Sequence, residues 1–130
     1  MSQANLEIVR RWLTAFEHDE EVFGDLTHPE IEWAPFEDNH TISRGLAGAT
    51  RIRAAWLDAW AEHHLQIEDV LDAGGNEVLA TVRLIARGRG SGVEVDVRLY
   101  GHLTVRDGKV VYVYEYEHRA DAVRAVGLAG

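Results

Sequence analysis

The chain has 130 residues, 46% of them hydrophobic, and 13 Lys and Arg against 22 Asp and Glu leave a formal net charge of −9. This length suits one globular domain over residues 1–130; the acidic balance, with no basic stripe, argues against nucleic acid as a partner, and the lack of cysteine excludes disulfides and thiolate metal sites. No apolar run reaches the roughly 20 residues of a bilayer span, and the start MSQANLEIVRR lacks a signal-peptide core, so the expectation is a cytoplasmic protein without membrane contact.

In chain order, Leu6, Val9, Leu13 and Phe16, flanked by Ile8 and Trp12, recur at helical spacing and predict a helix over Leu6 to Glu17 with Ser2 as its cap. A short second helix, Glu20 to Leu26, stops before His28-Pro29. Glu30 to Ala34 reads as a strand ended by Pro35, and Glu37 to Gly45 as a polar loop. Ala49 to His63 reads as a third helix burying Ile52, Ala55, Trp56, Ala59 and Trp60. After Leu65 the apolar period switches from 3.6 to 2. Gly74-Gly75-Asn76, Gly88 to Gly92 and Asp107-Gly108 mark three hairpin turns, hence four antiparallel strands in meander order. Arg119 to Val126 makes a last helical turn closed by Gly127.

Strand parity sorts the side chains. From Val93 to Val105 the odd positions are apolar or Gly and face inward; in the preceding strand Val78, Ala80, Val82, Leu84 and Ala86 do so, which turns Arg83 and Arg87 outward. In the last strand Val111, Val113 and Glu115 share the inward face, so one carboxylate stands among apolar positions. A buried carboxylate must be paired, hydrogen-bonded or protonated. Glu115 is therefore either a satisfied structural acid or a working one. A working Glu115 replaced by Gln would lose activity with little change in melting temperature, whereas a structural one would lose stability.

Around it, Trp12, Trp33, Trp56 and Trp60 with Phe16, Val97, Leu99 and Val113 could line a ligand pocket or be plain core. Asp38 and His40, in a polar loop, could assist an acid or simply be solvated. His63 and His64, adjacent on a helix, point about 100° apart and cannot share a metal as an i, i+4 pair does. No metal or cofactor is expected. All four tyrosines fall on the outward face, Tyr100, Tyr112, Tyr114 and Tyr116, beside Arg98 and His102; this composition suits self-association into a homodimer as well as an amphipathic solvent-facing sheet.

Helices followed by a meander, Arg106-Asp107-Gly108-Lys109 in the last hairpin, and Tyr116-Glu117-His118-Arg119-Ala120-Asp121-Ala122 ending in Val126-Gly127-Leu128 resemble the NTF2-like superfamily, and within it SnoaL-like proteins. The resemblance implies an α+β cone, three N-terminal helices packed on a strongly curved antiparallel sheet with a short C-terminal helical turn, an apolar pocket inside, and dimerisation through the outer sheet face. Counting from Gly108-Lys109, it puts the catalytic acid of limonene epoxide hydrolases at Glu115. Their partner Arg and second Asp have no counterpart in Thr81-Val82-Arg83-Leu84-Ile85. It puts the acid of SnoaL-type polyketide cyclases at His118, which could serve as acid or base. The general base of ketosteroid isomerases falls at Ala34, so that chemistry is not supported. The expectation is a small acid–base enzyme of hydrolase, isomerase or cyclase type with Glu115 and His118 as catalytic candidates, acting on a small hydrophobic molecule. The alternative is a non-catalytic ligand-binding or dimerisation module.

Overall fold

A computed structural model describes residues 2–36 and 39–127. Helix α1 (Ser2–His18) starts at the residue expected to cap it. Helix α2 (Glu20–Leu26) has the expected limits, because Asp19 caps it, its Oδ1 accepting from Val22 N at 3.1 Å. Strand β1 (Thr27–Ala34) and the two-residue β2 (Ser43–Arg44) precede α3 (Gly45–Ala59). The meander β3 (Trp60–Gly74), β4 (Glu77–Gly88), β5 (Glu94–Arg106) and β6 (Lys109–Tyr116) follows, and α4 (Arg119–Val126) closes on Gly127 with φ 79°. No described helix is long and apolar enough to cross a membrane.

The six strands form one sheet in the order β2-β1-β6-β5-β4-β3, curved around α1 to α3. Two corrections follow for the expected architecture. Only two helices precede the sheet, and β1 runs parallel to β6, so the sheet is mixed rather than wholly antiparallel. Pro29, which has no N–H to give the ladder, lies where the β1–β6 register shifts, between Thr27 and Glu32. The third helix starts and ends four residues earlier than its apolar spacing predicts. Trp60 and His63 therefore belong to β3, and His63 and His64 point to opposite sheet faces.

The meander's turns are as expected. Asp107 and Gly108, at φ 55° and 72°, form the two-residue hairpin that favours Asp-Gly. A bulge absent from simple parity sits next to it: Val105 faces Val110 while Thr104 faces Tyr112, which leaves Val111 as the extra residue. Val110, not Val111, is the fully buried one, and Val113 and Glu115 keep their inward facing.

Two cores result. The larger, on the concave face, joins Val9, Trp12, Phe16, Phe23, Ile31 and Trp33 to the inward side chains of β4, β5 and β6. The smaller lies on the convex face, where Ala122, Val123 and Val126 of α4 cover Leu79 with Tyr100 and Tyr116 packed beside it. Arg53 of α3 ties the helices together, its Nε donating at 2.8 Å to the carbonyl of Phe16, in the last turn of α1.

Candidate functional site

The concave face holds a cavity of about 80 Å³ whose walls are almost wholly apolar. Aromatic rings form one side of it: Trp12 and Trp33 have centroids 5.0 Å apart, Phe16 and Trp33 5.7 Å, and Phe16 and Trp56 5.0 Å. Strand side chains such as Leu99, Leu103 and Val113 form the other. Gly101 faces Glu115 across the β5–β6 ladder and also lines the cavity, so the space beside the carboxylate exists partly because position 101 has no side chain. A Cβ there would come within 3.1 Å of Leu103 Cδ1.

Glu115 lines this cavity and is held from β1. Trp33 Nε1 donates to its Oε2 and the Phe36 amide to its Oε1, each at 2.9 Å. The local cause is the end of the parallel ladder. Pro35 stops β1 and has no N–H, and side chains take up the bonding there. The Glu115 carboxylate receives the next free amide, and its own carbonyl accepts from His40 Nε2 at 2.6 Å, which fixes the Nε2–H tautomer. His40 also stacks on Tyr114, centroids 4.6 Å apart and planes within 3°. Asn39 and His40 occupy the left-handed region, with φ 52° and 60°, a backbone strain of the kind that collects at functional sites.

Of the expected pocket residues, Trp12, Phe16, Trp33, Trp56, Leu99 and Val113 meet around the cavity. Trp60 and Val97 do not: both lie outside it, in an open groove shared with Phe36 and Leu84. The Trp60 Nε1 is buried without a partner among the described residues. His118 stands at the N-cap of α4 with its side chain 73% exposed and its Nε2 3.6 Å from Glu117, away from the cavity. Asp38 lies outside the described residues. No cluster of three or more His, Cys, Asp or Glu able to hold a metal occurs among the described residues.

Sequence reasoning missed a second interior acid. The Glu17 side chain, 2% exposed, accepts from Leu65 N at 3.0 Å and lies 2.8 Å from His63 Nδ1 and 3.2 Å from His18 Nε2. It pins the end of α1 to β3. The signal was present in the sequence, since Glu17 follows Leu13 by four residues on the apolar side of α1. The buried indole of Trp12 is likewise satisfied, donating at 2.9 Å to Thr27 Oγ1, which donates at 2.6 Å to the Phe23 carbonyl.

On the convex face, charges pair across strands: Arg83 with Asp96 at 2.7 Å and Arg98 with Glu68 at 2.6 Å. Hydrogen bonding to these guanidinium groups holds the Asp96 and Glu68 carboxyls below their ordinary range. Burial pushes the Tyr112 and Tyr116 phenols up.

The SnoaL-like domain profile matches residues 9–113 and stops two residues short of Glu115. No curated protein sequence matches the chain. Among solved structures, a candidate SnoaL-like polyketide cyclase from Jannaschia sp. CCS1 superposes with TM-score 0.76 at 18% identity, covering 99% of this chain and 95% of that one. TerC, co-crystallized with polyporic acid, gives 0.75 at 18% identity over 95% and 98%. An NTF2-like protein of unknown function from Burkholderia pseudomallei K96243 gives 0.76 at 15% over 95% and 97%. At these identities the structures share the fold alone. With the profile spanning most of its length, the chain belongs to the SnoaL-like domain family within the NTF2-like fold.

Proposed function

We propose that the protein binds a small, largely apolar molecule in the concave cavity and that Glu115 meets it there as the general acid or base. The observation that carries this reading is the lining: among the described residues, many apolar side chains and one ionisable one, Glu115, held by N–H groups of Trp33 and Phe36. TerC, a relative in fold, was co-crystallized with a small molecule, polyporic acid, which supports a ligand role for such a cone. A purely binding role is the second reading. It is favoured by the Trp33 indole and the Phe36 amide, which hold the carboxylate in place and are neither acids nor bases near neutral pH.

The test is a fragment screen read by the indole N–H resonance of Trp33. Fragments that shift it should bind the parent protein and fail against Gly101→Val, which fills the space beside Glu115. Retained binding in Gly101→Val would sink the reading. Turnover of any bound fragment, lost in Glu115→Gln, would decide between catalysis and binding.

We also propose self-association through the convex face. Arg98, Tyr112 and Tyr114 support it, while Tyr100 and Tyr116 contribute less because both pack against the core under α4.

A further inference from the structure

We propose that the ligand of this cavity carries a small organic cation, an ammonium head bearing methyl groups or protons, which the aromatic wall and Glu115 receive together. The inference rests on the pocket reading above and narrows it to a chemical class.

Three observations point the same way. The first is the wall itself. Four rings, Trp12, Phe16, Trp33 and Trp56, surround the space, and two of the three indoles have turned their N–H groups onto protein acceptors, Trp12 onto Thr27 and Trp33 onto Glu115. What those indoles offer a guest is π surface and carbon edge, which attracts a cation and gives an anion no donor. The bond from Trp33 to a carboxylate also polarises that indole toward a more negative ring, since hydrogen-bonded groups in a low-dielectric site polarise one another.

The second is charge. The side chains described as lining the cavity include one carboxylate and no Lys, Arg or His. An anionic guest would be repelled there, whereas a cation would be attracted at short range, and a chain of net charge −9 favours its approach from a distance.

The third is size. An apolar cavity of about 150 Å³ holds one benzene molecule. A cavity of about 80 Å³ takes a smaller head. An ammonium with up to three methyl groups, four heavy atoms against benzene's six, has that size, and its charge is spread over methyl groups that an apolar wall desolvates at less cost than a bare ammonium. The groove lined by Pro35, Ile52 and Trp56 shares Ile52 and Trp56 with the cavity and gives a longer substituent somewhere to lie.

Three probes with four heavy atoms about one centre and three charges test this: trimethylammonium, 2-propanol and acetate. Each is titrated at fixed ionic strength while the ligand methyl protons and the Trp33 indole N–H are followed by NMR. Trimethylammonium should bind with upfield-shifted methyl protons, about tenfold or more tighter than 2-propanol, and acetate should not bind. Trp56→Leu, which removes one ring and keeps an apolar wall, should weaken the cation several-fold and leave 2-propanol nearly unchanged. Equal or tighter binding of 2-propanol or acetate would overturn the cation assignment and leave the pocket reading standing. No response of Trp33 to any of the three would overturn both.

Discussion

Replacing Glu115 with Gln should destabilise the protein, by an amount that the geometry sets. Both carboxylate oxygens accept an N–H at 2.9 Å, Oε2 from Trp33 and Oε1 from Phe36. A Gln side chain has one oxygen and one NH2 group, so whichever way it is turned, one of those donors meets another donor. An unsatisfied, largely buried N–H costs about 1–3 kcal/mol. For a chain of 130 residues each kcal/mol moves the melting temperature by roughly 3–5 °C, so the variant should melt about 3–15 °C lower. Melts followed by circular dichroism at constant pH and salt measure this directly. Trp33→Phe removes the indole donor, and in that background the Gln can point its NH2 into the vacated direction. The cost of Glu115→Gln should then fall by about 1 kcal/mol or more, a coupling that a double-mutant cycle resolves. Co-melting of Glu115→Gln with the parent, or strictly additive costs, would refute the reasoning. The melting temperature therefore does not separate a working from a structural Glu115, as the sequence alone suggested it would, because the same two bonds that orient the acid also stabilise it.

Glu17→Gln leaves a weaker acceptor for Leu65 N and removes the charge facing His63 and His18; it should cost about 1.5–3 kcal/mol, seen as a lower denaturation midpoint, and an unchanged midpoint would remove Glu17 from the structural account. At the alkaline end, the raised folded-state pKa of Tyr112 and Tyr116 means that the unfolded chain releases those protons first. Their stabilising contribution is thus complete below the ordinary phenol value of 10.0 and is lost as pH climbs through the raised one. Phenolate absorbance should report both rings titrating late, and Tyr112→Phe with Tyr116→Phe should flatten the alkaline loss of stability. If the convex face self-associates, light scattering should give twice the chain mass for the parent and a lighter species for Tyr114→Glu; a monomeric parent would end that proposal.

Much of the fold was legible because its signals were local. The His28-Pro29 stop ends α2, and the Gly and Asp-Gly turns bracket the meander. The boundary between α3 and β3 was not legible, since Trp56, Trp60 and His63 continue a helical repeat while a register shift between Trp60 and Glu62 interrupts the alternation where β3 begins, and a start at Gly45-Leu46-Ala47-Gly48 runs against helix propensity. The bulge at Val111 was hidden because Val110 and Val111 are the same residue type. The core beneath α4 was hidden too: Leu79 sits on the face that parity assigned to solvent, and only the tertiary return of the C-terminal helix covers it. Within the candidate site, the acid and its ring partners could be found from strand and helix periodicity. What holds Glu115 could not, because the Phe36 amide becomes a donor only where Pro35 cuts the parallel ladder short.

The bond from Glu17 to the Leu65 amide bears on solubility as well. Strand β3 is the outer member of the sheet and runs for 15 residues with its far side unpaired within the sheet. A free edge of that length is a template on which other chains can add strands. A carboxylate seated on one of its N–H groups, with Glu62, Glu68, Asp69 and Asp72 along the same strand, makes the edge a poor acceptor for a neighbour's backbone. Loss of Glu17 should therefore show in storage and concentration, as slow fibrillar precipitation, before any change of function is felt.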